Sequence, residues 1–199
     1  MRAFTALLSL PALALAASIA RRAGSVPAGP WSAGVWRQPL NDDIFFVGDS
    51  INASGGKFYV NKNTSAYCPS GVENLDCSAY PGTKTVFRGG NDTMFLDAAV
   101  PGGQQVYVAA DGSLSYTVPH SGALPEGASA TGFQRERSES FGAPVTLSQA
   151  GKAWLMCPVS EGEPRERTYQ IFVDHTDLED CLYSGMRTYT DEGDAWEYV

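Results

Sequence analysis

The sequence has few of the residues, and none of the short motifs, that most often carry catalysis. Its 199 residues include only two histidines, His120 and His175. No GxSxG nucleophile elbow, HExxH zinc motif or glycine-rich phosphate loop occurs. An active site needs a nucleophile, a base or a metal in a defined constellation. The sequence therefore predicts no catalytic residue, no metal site and no cofactor, and we expect a protein that is not an enzyme.

Positive charge is also scarce. Lys and Arg number 14 against 22 Asp and Glu, which gives a formal net charge of −8. Nucleic acids and anionic lipid surfaces bind clustered Lys and Arg side chains. The composition therefore argues against both as partners.

Long apolar helical patterns are missing as well. No stretch keeps an apolar 3.6-residue period for longer than about two turns, and the best helical candidate, residues 176–181, is a single turn. Instead the chain holds 21 Gly, 12 Pro, 9 Phe, 9 Tyr and 4 Trp, a composition that favours short strands separated by turns. With 43% hydrophobic residues, one all-β domain with a real core is predicted.

The clearest local pattern is a β-hairpin between Gly102 and Thr117. Val106 and Val108 alternate with less apolar positions, and an Asp-Gly pair at 111–112 supplies the turn. Residues 54–68 repeat this plan, and residues 151–173 repeat it with an expanded, charged turn. Three related hairpins suggest a fold built of three similar parts.

The predicted strands fall into three groups that begin at residues 44, 93 and 144. They are residues 44–51, 57–60, 65–68, 83–88, 93–98, 104–109, 114–118, 130–136, 144–148, 153–158, 168–174, 181–189 and 195–199. Groups of about four strands are typical of a β-trefoil, in which residues 58–60, 106–108 and 154–156 would be equivalent. A β-sandwich uses the same strand count and turn spacing and is the alternative.

The first 20 residues are typical of a secretory signal. Arg2 gives a positive start, residues 7–17 are largely apolar, and small residues precede a predicted cleavage after Ala20. The alternative, a retained membrane anchor, suits this short run poorly. The dibasic pair at 21–22 offers a second cleavage. The mature chain is therefore predicted to begin at Arg21 after the first cleavage, or at Ala23 after the second.

Residues 21–43 are predicted to form an arm or linker, and residues 44–199 the all-β domain. Residues 21–43 are rich in Pro, Gly and Ala and have no sustained helical or strand period. They also include Trp31 and Trp36, whose role the sequence leaves open, because either one packs on the domain or both lie at its surface.

Four cysteines in an exported chain imply two disulfides, for which three connectivities exist. Cys68 and Cys77 flank a short loop, and Cys157 and Cys181 bracket the expanded turn, so Cys68–Cys77 and Cys157–Cys181 are the favoured pairs. A zinc site is the alternative, but no CxxC spacing occurs. Three glycosylation sequons begin at Asn52, Asn63 and Asn91. Each Asn is expected to carry a glycan, with an unmodified turn residue as the alternative.

Several segments resemble a known family. They are GGKFYVNKNTSAYCPSGVENLDC, TVFRGGNDTMFLDAAVPGGQQVYVAADGSLSYT, WLMCP, YQIFV and DCLYSG, in this order behind a signal peptide. Together they are similar to the PhiA-like (phialide-associated) group of secreted fungal cell-wall proteins, often labelled IgE-binding proteins. The resemblance implies export, a structural role in the wall of spore-forming cells and IgE reactivity in some members. It supplies no catalytic residue.

Three functional hypotheses follow. The first is a non-catalytic wall or surface protein whose partners are wall polysaccharides or other wall proteins. The second is a lectin-like carbohydrate-binding module, with Trp154, Trp196, Tyr107 and Tyr116 as possible sugar contacts. The third is a secreted hydrolase, supported only by the acidic cluster of Asp174, Asp177, Glu179 and Asp180 around His175. A solvated acidic turn is the better interpretation of that cluster.

Overall fold

The computed structural model describes residues 25–38, 44–140, 142–174 and 180–199. The signal peptide, both predicted cleavage sites and most of the helical turn at 176–181 lie outside these ranges. None of the helical segments in the described ranges has the length and apolarity that a bilayer crossing needs.

The described chain is almost entirely β-structure, which confirms the predicted class. Its strands are β1 (Trp31–Arg37), β2 (Phe46–Ser50), β3 (Asn52–Ser54), β4 (Lys57–Val60), β5 (Ala66–Tyr67), β6 (Phe87–Leu96), β7 (Gln104–Val108), β8 (Leu114–Tyr116), β9 (Phe133–Arg137), β10 (Val145–Gln149), β11 (Trp154–Pro158), β12 (Tyr169–Val173), β13 (Leu182–Thr190) and β14 (Glu197–Tyr198). A single 3-10 turn, Cys77–Ala79, is the helical element of the described residues.

Nine strands pair in a closed antiparallel ring. The order is β13–β10–β9–β6–β7–β8–β4–β12–β11, and β11 returns to β13. Strand β3 pairs with β4, β1 pairs with β13, and β2 pairs with β1. Strands β5 and β14 form a separate two-stranded sheet. Closure leaves the ring strands without a free edge, which protects them from pairing with other chains.

One core fills the inside of the ring because the inward positions of the strands alternate with outward ones. In β4, Phe58 and Val60 are buried, whereas the residues between and before them are half-buried. The three stretches that the trefoil prediction made equivalent all send side chains into this one cluster: Phe58 and Val60, Val106 and Val108, and Trp154 and Met156. The closed ring and the shared core are established, and the trefoil and the sandwich both stay predictions.

The segment predicted to be an arm or linker contributes a strand to the main sheet. Strand β1 pairs with β13 over six positions, from Trp31 opposite Thr190 to Trp36 opposite Gly185. Trp31 is fully buried and stacks on Phe87, with the ring centroids 4.8 Å apart. The linker interpretation is therefore wrong for residues 31–37. The Pro-, Gly- and Ala-rich composition of this segment favoured a linker, but pairing with a distant strand overrides such weak local conformational preference.

A second correction concerns the strands predicted at 83–88 and 93–98. Residues 87–88 of the first segment and 93–96 of the second belong to one strand, β6, which runs through the intervening glycines, whereas residues 83–86 are not part of a strand. Gly89, Gly90 and Asp92 all have positive φ, so the backbone kinks there without leaving the sheet. Glycine in a strand marks such a bend as readily as a turn.

Both disulfides join residues that are close in sequence, and they are the favoured pairs. Cys68 is bonded to Cys77, and Cys157 to Cys181, with Cα atoms 5.8 Å and 4.2 Å apart. The second bond ties β11 to the residue before β13 and forms a small cluster with Leu155 and Phe172 outside the main core. Closing a loop of this length stabilises a fold by about 3 kcal/mol in the chain-entropy model.

Candidate functional site

Two of the four aromatic residues proposed as sugar contacts are core residues. Trp154 is 5% exposed, and its Nε1 donates a hydrogen bond to the Leu147 carbonyl. Tyr116 is 4% exposed and packs edge-on against Phe58, with ring centroids 5.2 Å apart. Neither ring has a face left for a ligand, so the proposed contacts at Trp154 and Tyr116 are wrong. Alternation placed both residues on strands but did not say which side each faces.

The other two proposed contacts are half-buried and lie apart along the chain. Tyr107 is on β7. Trp196 packs edge-on against Tyr80, with ring centroids 5.5 Å apart. Trp196 directly precedes β14, and the suggested role of both residues as sugar contacts stays a prediction.

A different set of aromatic side chains faces outward from β13. Met186 and Thr188 are buried, so the residues that alternate with them point away from the core. Tyr183 is 67% exposed and Tyr189 43%, with Arg187 between them on the same side. Strand β13 therefore presents two tyrosines and an arginine to solvent.

Strand β1 adds a tryptophan to this surface. Trp36 lies opposite Gly185 of β13 on one side and Val47 of β2 on the other. The Arg187 guanidinium lies over the Trp36 ring, 3.2 Å from its centroid, and such cation–π contact fixes the ring's orientation. We call Trp36, Val47, Tyr183, Arg187 and Tyr189 the outer aromatic face.

Glycines leave the middle of the outer aromatic face without projecting side chains. A Cβ at Gly34 would lie 2.8 Å from the Gly48 carbonyl oxygen, so these two strands approach more closely there than any side chain would allow. Gly48 has φ +81° and is the extra residue where the β1–β2 register shifts, which is a β-bulge. The Tyr189 hydroxyl reaches toward it, 3.3 Å from where a Cβ would stand. The surface is therefore broad and shallow.

The dimensions and chemistry of this face suit an extended ligand. Tyr189 lies six positions after Tyr183, which in an extended strand is roughly 20 Å. Tyr and Trp rings offer a large apolar surface with a polar tip, a combination that favours contact with partly hydroxylated ligands. Arg187 adds hydrogen-bond donors. The arrangement can stack on and hydrogen-bond a chain-like molecule, and it contains no group placed for acid–base chemistry.

The structure describes two of the five residues of the acidic cluster. Asp174 and Asp180 are exposed, whereas His175, Asp177 and Glu179 lie outside the described residues. Among the residues that the structure describes, no group of three or more His, Cys, Asp or Glu side chains could hold a metal ion.

The three sequon asparagines differ in accessibility. Asn63 and Asn91 are exposed. Asn52 is half-buried: its Nδ2 donates to the Lys62 carbonyl at 2.7 Å, and its Oδ1 accepts from the Thr64 hydroxyl at 3.2 Å. Glycosylation of all three stays a prediction, and Asn52 is the site where a glycan would disturb existing hydrogen bonds.

A sequence model of the PhiA-like secreted protein family matches residues 45–199. The chain belongs to this family. A protein of Arthroderma benhamiae titled "Uncharacterized secreted protein" is 34% identical over 123 residues, which are 61% of this chain. The match spans 58% of that relative's length. No solved structure matches. The protein is secreted, as the signal segment predicted.

Most of the outer aromatic face lies within the family match, but Trp36 lies before it. The sequence reasoning missed the whole surface. The signal was present in residues 183–189, where Tyr, Gly, Arg and Tyr occupy every second position. Its partner strand, β1, was not predicted, because the proline and glycine around it indicated a linker.

Proposed function

We propose that this protein is a non-catalytic component of the fungal wall or surface, held there by contact between its outer aromatic face and wall polysaccharide. The observation that carries the proposal is the exposure of Tyr183 and Tyr189 beside Trp36 on one shallow sheet surface. Secreted proteins rarely leave large aromatic side chains in water without a binding role when the residues form a patch. Membership of a secreted family supplies the setting.

The physical argument favours an extended neutral ligand over a small or charged one. The face has no enclosing walls, so it cannot surround a small molecule as a pocket does. Aromatic rings supply large contact area at low entropic cost, and a chain-like ligand can use several rings at once. The net charge of −8 makes neutral polysaccharide a better partner than a polyanion.

The family resemblance extends the proposal to the wall of spore-forming cells and to IgE reactivity. These finer statements rest on the resemblance alone. A lectin-like role differs from the structural role only in whether binding serves recognition or attachment, and the same surface would serve both.

The proposal is tested by depletion onto insoluble chitin and insoluble β-glucan. Wild-type protein is expected to sediment with at least one polysaccharide, and the double variant Trp36→Ala, Tyr189→Ala to bind at least about tenfold more weakly, because buried aromatic anchors dominate contact energies. Tyr67→Ala is the matched control, since Tyr67 is exposed on β5, away from this face. Equal sedimentation of all three proteins would refute the proposal.

An activity screen on the same fractions separates the hydrolase alternative. The expected result is no release of soluble sugar or ester product. Hydrolysis at an enzymatic rate that is lost in Asp174→Asn would replace the proposal with the hydrolase hypothesis. Analytical ultracentrifugation tests whether a second copy of this chain binds the outer aromatic face instead. Dimers that dissociate in the double variant would make this face a contact between copies of the chain.

A further inference from the structure

One end of the β-ring carries a polar cleft that the outer aromatic face does not include. Its volume is about 470 Å³, within the range of small-ligand sites. Four segments form it: the turn after β7, residues 127–132, the turn between β10 and β11, and the end of β12. The cleft is therefore built from separate parts of the chain that the closed ring brings together.

A buried glutamine with an unused acceptor lines this cleft. Gln149 is 3% exposed, and its Nε2 donates to the Thr131 carbonyl at 3.0 Å. Its Oε1 is buried and accepts no hydrogen bond from the described residues. Reversing the amide would place two oxygens together at Thr131, so the hydrogen bond fixes Oε1 as the unpaired atom. A buried acceptor of this kind is costly for the fold and calls for a partner.

Charged groups of both signs stand at the rim. Lys152 is exposed and supplies a donor, and Asp174 supplies an acceptor. Asp111 is held in its turn, since its Oδ1 accepts from the Ser113 backbone N–H at 2.9 Å and from the Ser113 hydroxyl at 2.6 Å. The cleft thus offers both donors and acceptors around a buried acceptor.

The floor of the cleft is made of small residues, and none of its lining side chains is aromatic. Gly132 has φ +87°, and a Cβ there would stand 3.4 Å from Gln149 Nε2 and 3.2 Å from the Ala150 Cβ. A side chain at this position would therefore crowd the glutamine. A ligand held here is recognised by hydrogen bonds and shape, without ring stacking, which excludes nucleobases and flat aromatic molecules as good ligands.

We propose that this cleft binds one sugar residue, and that a small movement of the Gln149 side chain brings its enclosed Oε1 to the cleft, where a sugar hydroxyl donates to it while Lys152 and Asp174 contact hydroxyls at the rim. The need for a hydroxyl donor rests on the cleft alone. The choice of a sugar among hydroxyl-rich molecules rests on the proposed function. The cleft takes a single residue, such as a chain end, whereas the outer aromatic face takes the side of a chain.

Protein-observed NMR titration with methyl glycosides of glucose, mannose and N-acetylglucosamine tests the proposal. At least one glycoside is expected to shift the backbone amides of Gly112, Gly132 and Ala150 saturably. Gln149→Met should weaken that binding about tenfold, because it removes the acceptor at similar volume. Gln170→Met is the matched control, since Gln170 is also buried with an unpaired amide nitrogen but does not line the cleft. Equal weakening by both variants, or no shift of cleft amides by any glycoside, overturns the proposal.

A second pair of variants guards against misfolding of the glutamine variant. Lys152→Ala removes an exposed rim donor and should weaken glycoside binding several-fold, whereas Lys62→Ala, at an exposed position outside the cleft, should leave it unchanged. Unchanged affinity in Lys152→Ala would contradict the assigned role of the rim. Because none of these residues belongs to the outer aromatic face, loss of glycoside binding with intact polysaccharide sedimentation separates failure of this inference from failure of the proposed function.

Discussion

Trp31 and Trp36 stand on the same strand and face opposite sides of it. Trp31 points into the ring, is fully buried, and lies between Phe87 and the Arg135 guanidinium, which is 4.7 Å from the indole centroid. Trp36 points outward, is half-buried, and has the Arg187 guanidinium over its ring. One segment therefore contributes both to the core and to the surface that we propose binds polysaccharide.

The difference shows how to assign an aromatic residue in a β-protein. Burial of Trp31 removes its whole side chain from water and adds a hydrogen bond from its Nε1 to the Gly89 carbonyl at 3.1 Å, so its contribution is to stability. Trp36 remains partly in water, and its contribution to stability is correspondingly small. Residues of the second kind are the ones free to meet a ligand.

The largest effect is expected for Trp31→Ala. Removing a buried indole leaves a cavity and an unpaired Gly89 carbonyl, which should lower the free energy of unfolding by about 3–5 kcal/mol. Urea denaturation followed by circular dichroism measures this. A loss below about 1 kcal/mol would mean that β1 is not part of the core, and would restore the linker interpretation.

The close approach of β1 and β2 gives the next effect. Gly34→Ala forces a Cβ against the Gly48 carbonyl and should destabilise the fold by about 2 kcal/mol, as overpacking does. Gly185→Ala is the control, because its Cβ would stand 3.4 Å from its nearest neighbour, the Trp36 carbonyl oxygen. Equal thermal midpoints for the two variants would show that the bulge at Gly48 is looser than described.

Alkaline pH should lower the stability of the core inside the β-ring. Burial raises the pKa of Tyr116 to about 12, and burial also raises the pKa of Tyr198. Above the ordinary tyrosine value of about 10 the unfolded chain loses these protons first, so the contribution of these two tyrosines to stability is constant below about pH 10 and falls as pH rises toward 12. The slope is about 1.4 kcal/mol per pH unit for each tyrosine. Tyr116→Phe should reduce that slope, and an unchanged slope in this variant would contradict the assignment.

The smallest stability effect is expected for Trp36→Ala. It removes one partly exposed cation–π contact with Arg187, which contributes about 0.5–1 kcal/mol. Urea denaturation beside Trp31→Ala makes the comparison direct. A loss as large as that of Trp31→Ala would move Trp36 into the core and remove it from the binding surface.

Much of the fold could be predicted because alternation is a local property. Strand β4 is found where residues 57–60 predicted it, and β7 and β11 lie within one residue of the predicted bounds. Strand β1 could not be predicted, since its pairing with β13 joins segments about 150 residues apart and no local pattern encodes it. For the same reason the strand order of the closed ring could not be obtained from turn spacing.

The candidate site was harder to predict than the fold. Alternation says that Trp154 and Tyr183 lie on strands, but only the packing says that the first faces the core and the second faces water. The cysteine pairs were accessible to sequence reasoning because each closes a local loop. The cleft at Gln149 was not, because its four walls come from distant parts of the chain.

Wall fractionation tests the central claim most directly. Wild-type protein, the Trp36→Ala, Tyr189→Ala variant and the Tyr67→Ala control are each secreted from the same fungus, and the amount in washed walls is compared with the amount in the medium. We expect wild type and control to be retained in the wall and the double variant to shift toward the medium by about tenfold, as loss of central aromatic contacts predicts. The same partition for all three proteins, with the double variant folded, would contradict attachment through the outer aromatic face.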